Sequence, residues 1–182
     1  MPFVLGLVCI IVAAYFWSVR ARNARVVAED LVGMAADVMI AARRFGFRRR
    51  ANIHPVESLD DADAAIAAVG IAFLELGGLP SVEQQNALIR SLQSHLGQGH
   101  DQAQEAVILG RWLVSECGGA QAGFDRLARR LYKLRGHAGF EPLMLVLRDV
   151  GQAAGNLSPR QSEALAQLSS VFRLRQVKDK TP

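Results

Sequence analysis

Residues 2–19, PFVLGLVCIIVAAYFWSV, carry no formal charge. As a helix the run would measure about 27 Å, close to the roughly 30 Å of a bilayer's hydrocarbon core. Tyr15, Phe16 and Trp17 stand at its end, where aromatic rings favour the headgroup zone. Arg20, Arg22 and Arg25 follow at once. A guanidinium in hydrocarbon is expensive, so these arginines should stop the segment at an interface. The expectation is a single transmembrane anchor over residues 1–19, with the lipid bilayer as partner of residues 2–19. A cleaved signal peptide is the competing reading, with Val12-Ala13-Ala14 as a weak cleavage site. It is disfavoured because no basic residue precedes the run, and the positive charge lies on the side that resists export. Positive flanks stay in the cytoplasm, so Arg20, Arg22 and Arg25 set a topology with the N-terminus out and the rest inside. Cys9 would then lie in the bilayer and Cys117 in a reducing compartment, which argues against a disulfide.

The charge is unevenly spread. Residues 20–50 hold eight arginines (Arg20, Arg22, Arg25, Arg43, Arg44, Arg48, Arg49 and Arg50) against Glu29, Asp30 and Asp37, a balance of +5. The 132 residues that follow hold 13 basic and 14 acidic groups, a balance of −1. The basic excess therefore sits beside the apolar run, unlike that of a uniformly basic nucleic-acid binder. Hydrophobic residues at 51 % and charged residues at 21 % exclude a disordered chain.

Behind the anchor the spacing is helical, and no stretch alternates with period two. Val27, Leu31, Met34, Val38 and Phe45 fall near one stripe, which predicts a juxtamembrane helix over 21–45 ending at Gly46. A polar loop with Pro55 follows. Ser58 or Asp60 would cap a helix to about Leu76, and Gly77-Gly78 would break it. Ser81 would cap a second, to about Leu96, with Leu88, Ile89 and Leu92 as its core face. Further helices are expected over about 101–117, 121–134, 140–154 and 158–174, with a frayed tail after that. The predicted class is all-α: an anchor over 1–19, a basic helix and linker over 20–57, a compact bundle of about six helices over 58–174, and a flexible tail over 175–182.

Two helix junctions echo each other at an offset of 77 residues. GGLPSVEQQNALIRSL begins at Gly77 and AGNLSPRQSEALAQLS begins at Ala154. Each is a helix stopped by Gly, a short turn, and a Ser that reopens a helix. In these junctions the chain resembles the tellurite-resistance TerB family and the TerB-like domains of membrane-anchored bacterial proteins. The family's junction reads roughly Ala-Asp-Gly-x-hydrophobic-Ser-x-x-Glu. The resemblance covers about residues 58–174, and RRRANIHPVESLDD is similar to the lead-in of the anchored versions. It implies a helical, non-enzymatic adaptor at a bacterial inner membrane, with an unidentified protein partner and a role in envelope or tellurite and metal stress. The family's junction Asp corresponds here to Gly77 and Ala154, and its Glu to Gln84 and Gln161. A hard divalent cation needs carboxylates for most of its attraction. The expected copy therefore keeps the scaffold and lacks the metal site. The alternative is a metal-responsive protein in which Glu75, Glu83 or Glu163 rebuilds one.

No pattern recommends a catalytic site, a cofactor or a nucleic-acid partner. Arg43, Arg44, Arg48, Arg49 and Arg50 form the densest charge cluster, either a solvated face or a contact for anionic lipid. Were the helix over 20–45 upright, the cluster would stand about 37 Å from the bilayer, far beyond a Debye length of about 8 Å. Lipid contact requires that helix to lie flat or fold back. No aromatic residues stack among these arginines as nucleic-acid binding would want. Arg126, Arg129, Arg130 and Lys133 share one helix face, either solvated or a docking patch for a partner or membrane. Residues 57–105 carry eight acids and one arginine, Arg90, and could complement that basic face within the molecule. His95 and His100 lack the companions that zinc requires. His54-Pro55 matches two residues of the J-domain His-Pro-Asp signature, but Val56 stands third.

Overall fold

The computed structural model describes residues 38–41, 43–45 and 52–179, except the side chains at 171 and 173–179. The apolar run and Arg20, Arg22 and Arg25 lie outside the described residues, as do Arg48, Arg49 and Arg50. Among the described residues every regular element is helical, and no helix is long and apolar enough to cross a membrane.

Six helices follow a 3-10 turn at Pro55–Ser58: α1 Ala62–Leu76, α2 Val82–Leu96, α3 His100–Glu116, α4 Ala120–Arg135, α5 Phe140–Ala153 and α6 Pro159–Asp179. A second 3-10 turn, Gly136–Gly139, joins α4 to α5. The helix α1, ADAAIAAVGIAFLEL, carries charge only at Asp63 and Glu75 near its ends, and nearly all of it is buried. A helix apolar all round belongs in the centre. Accordingly α1 packs against α3, α4 and α5, while α2 packs chiefly against α5. Its small residues let neighbours approach closely. A Cβ on Gly110 of α3 would stand 2.8 Å from the Ala68 Cα, so that crossing requires glycine.

Capping explains where the helices start. Ser81 Oγ accepts from the Gln84 amide at 3.2 Å, and Gln84 Oε1 accepts from the Ser81 amide at 2.9 Å. Ser158 and Gln161 repeat this reciprocal box at 3.1 and 2.9 Å. The start of α1 differs from the sequence expectation. Asp61 is its cap, accepting from the Ala64 amide at 2.8 Å, while Ser58 is buried in the 3-10 turn. Pro55 opens that tighter turn, and Val56 and Leu59 plug fully into the core. At the other end α6 continues to Asp179, past Leu174, because no Gly or Pro interrupts the sequence there. Near the start, residues 38–41 and 43–44 are helical, and Ala41 and Phe45 join the core.

Candidate functional site

Four places hold the residues singled out by the sequence or left available for contact. The first is the basic face of α4. Arg130 Nε donates to the Leu59 carbonyl at 2.7 Å, and its Nη2 donates to Asp60 Oδ1 at 3.0 Å. Lys133 Nζ lies 3.2 Å from Glu57 Oε2, and Arg126 Nε lies 3.7 Å from Glu57 Oε1. Arg135 pairs with Asp63 at 3.0 Å. Arg129 is exposed. Burial pulls the Glu57 carboxyl up, but the Lys133 ammonium, with Arg126 and Arg130, outweighs it and holds the group below its ordinary value. Three of the four face cations thus fasten residues 57–60 to α4. His54 completes this strap, its Nδ1 accepting from the Val56 amide at 3.3 Å and its Nε2 lying 3.2 Å from the Glu116 carbonyl. In the cluster before it, Arg44 pairs with Glu105 of α3 at 3.0 Å, while Arg43 is exposed.

The second place is where the two echoed junctions meet. Gln161, only 2 % exposed, donates from Nε2 to the Phe73 carbonyl at 3.0 Å while its Oε1 accepts from the Ser158 amide. Ser158 Oγ also reaches the Leu76 carbonyl at 3.4 Å. A Cβ on Gly77 would stand 2.9 Å from Gln161 Nε2 and 3.1 Å from its Oε1. The space beside Gly77 is therefore filled by a glutamine amide from the other junction. Gln84 uses its own oxygen on the Ser81 amide. Among the described residues, no three His, Cys, Asp or Glu side chains are grouped to hold a metal ion.

The third place joins α2 to α5. Ser91 Oγ donates to Asp149 Oδ2 at 2.9 Å, and His95 Nε2 lies 2.8 Å from the same oxygen. Burial raises the Asp149 carboxyl, yet the hydrogen bonds from His95 and Ser91, with Arg148, bring it below its ordinary value. Sequence reasoning missed this trio. Ser91 and His95 stand one turn apart, but Asp149 lies 58 residues from Ser91 with nothing in the sequence to mark it. The chemical types resemble a nucleophilic triad, but the geometry does not. The Ser91 proton goes to the carboxylate rather than to the imidazole, and the hydroxyl is buried at 3 % exposure.

The fourth place is an open groove of about 620 Å³ along α5 and the start of α6. Phe140, Met144, Leu145, Leu157 and Leu165 give it an apolar lining, with Glu141 and Arg148 as charged groups. The sequence offered half of this. Leu143, Val146 and Val150 of α5 enter the core, buried Leu147 reaches both core and groove, and Met144 and Leu145 are only partly buried along the groove. Only the arrival of α6 turns that side of α5 into a groove. A volume of this size suits recognition.

In comparison with known proteins, no family model, no curated protein and no solved structure matches the chain.

Proposed function

We propose that the chain is a membrane-tethered, non-enzymatic helical adaptor, TerB-like in its repeated junction. Residues 2–19 hold it in a bacterial inner membrane with the bundle on the cytoplasmic side. Tethering raises the local concentration of the bundle for a partner at the same membrane. The observation that carries the reading is the apolar groove along α5 and α6. Its occupant is an amphipathic helix of a partner protein. Such a helix would lay apolar side chains one turn apart against Met144, Leu145 and Leu165, and place opposite charges near Glu141 and Arg148. Two further observations favour an adaptor over the other readings. Gln161 uses both ends of its amide on backbone groups, its Oε1 on the Ser158 amide and its Nε2 on the Phe73 carbonyl. Ser91 donates to the Asp149 carboxylate rather than to the His95 imidazole.

The test is site-specific photocrosslinking of the full chain in intact cells. A photoreactive residue at Met144 should give a discrete adduct that Leu145→Arg abolishes. The same group at Arg90, exposed on α2, should give none. Equal adducts from both positions, or an adduct indifferent to Leu145→Arg, would overturn the groove as the docking site.

A further inference from the structure

Residues 38–45 divide their side chains between two environments. Ala41 and Phe45 are buried at 0 and 5 % exposure, and Arg44 pairs with Glu105. Met39 and Ile40 are 57 and 56 % exposed. These are two consecutive large apolar side chains that the bundle leaves uncovered. Arg43 follows them by four and three positions, one helical turn away, and it too is exposed. An outward face of two apolar side chains and one cation suits the headgroup zone of a bilayer. There the apolar groups enter the acyl boundary while the long arginine stem lets its head stay among phosphates.

The bundle has a second uncovered apolar place, at the entry to α2, where Leu79 is fully exposed and Val82 is 74 % exposed. Charge separates the two. Leu79 and Val82 are followed by Glu83, within a stretch of eight acids and one arginine over 57–105. An anionic leaflet repels that turn. Met39 and Ile40 belong instead to the stretch over 20–50, which carries a net +5. Chain length adds to the argument. Only 18 residues, 20–37, separate the apolar run from Val38. They span about 27 Å as a helix and about 60 Å when extended, so a tether confines this face to that distance from the surface, and contact requires residues 20–37 to lie flat or fold back.

We infer that the face formed by Met39, Ile40 and Arg43 docks on the anionic headgroup surface of the membrane that tethers the chain. The inference rests on the tether proposed above and adds an orientation to it. The bundle lies with this face down, and Leu79 with the acidic first turn of α2 stays out of the bilayer.

The experiment uses the full chain with Cys9→Ser and Cys117→Ser, so that one added cysteine carries an environment-sensitive nitrobenzoxadiazole probe. The probe is placed by Ile40→Cys or, as control, by Leu79→Cys. Each protein is reconstituted into vesicles of phosphatidylcholine alone or with added phosphatidylglycerol. The expected result is a blue-shifted probe at position 40, quenched by spin-labelled lipid, in the anionic vesicles. Quenching should fall several-fold with phosphatidylcholine alone and with Arg43→Glu, and the probe at position 79 should stay aqueous in both. A water-exposed probe at position 40 in both vesicles overturns the inference while co-flotation of the protein leaves the tether standing. A shift at position 40 that ignores lipid charge but grows with protein density also overturns it, and assigns the face to a second copy. Equal shifts at positions 40 and 79 overturn it as well. Failure to float with either vesicle overturns the tether and this inference together.

Discussion

At the contact between the two junctions, Gln161 must donate to the Phe73 carbonyl and accept from the Ser158 amide at once. A carboxylate can accept but cannot donate, so Gln161→Glu leaves the Phe73 carbonyl unpaired and buries a charge. The expected cost is about 2 kcal/mol of stability near neutral pH, read as a lower urea midpoint with an unchanged slope. An unchanged midpoint would show that the amide does not hold this contact. The Ser-x-x-Gln spacing was legible in the sequence as a helix start, and the structure uses it as a reciprocal cap. Its second partner was not legible. Phe73 lies 88 residues away, and a backbone carbonyl leaves no trace in a sequence. The same limit hid Asp149, which the pair Ser91 and His95 could not reveal without the packing of α2 on α5.

The strap and α4 show what a whole element adds. Periodicity exposes a helix because one face repeats, but the stretch before α1 has no period. Val56 and Leu59 sit fully buried within a segment that reads as a polar loop. Charge segregation was easier to see, since the acids over 57–105 and the cations of α4 are opposite in sign. The structure decides which of them meet. Arg130 is 14 % exposed at its side chain and holds both the Leu59 carbonyl and Asp60. Arg130→Ala should therefore cost about 2 kcal/mol, whereas Arg129→Ala on the exposed side should cost almost nothing, by chemical denaturation of both. Equal costs would mean that the strap is not fastened by Arg130. Glu57 gives the pH dependence. Its carboxyl is held below its ordinary value, so the stabilisation is present above the unfolded value and lost as pH falls through the folded one. Glu57→Gln should cost about 1 kcal/mol at neutral pH. That difference should shrink as pH falls below the ordinary carboxylate range and the native carboxyl takes up its proton. A penalty that persisted in acid would assign it to packing rather than to the ion pairs with Lys133 and Arg126.

At the scale of the molecule the chain divides its work by sequence region. Among the described residues the core is built from positions between 41 and 172. Deleting residues 1–19 should leave helicity and the cooperative unfolding of the bundle unchanged while removing its carbonate-resistant hold on the membrane. Two attachments of different physics are then separable by extraction. A spanning segment is held by apolar area and should survive both high salt and alkaline carbonate. Contact through Met39, Ile40 and Arg43 depends partly on charge and is weakened by salt screening. The full chain is expected in the pellet after carbonate. The deleted chain should pellet weakly with anionic membranes at low salt and return to the supernatant at high salt. On the proposed topology, with Arg20, Arg22 and Arg25 on the cytoplasmic side, protease added outside intact spheroplasts should leave the bundle uncut. A full chain that moves to the supernatant in carbonate has no span. A deleted chain that still resists carbonate would place the anchor elsewhere than residues 2–19, although among the described residues no helix is long and apolar enough to supply one.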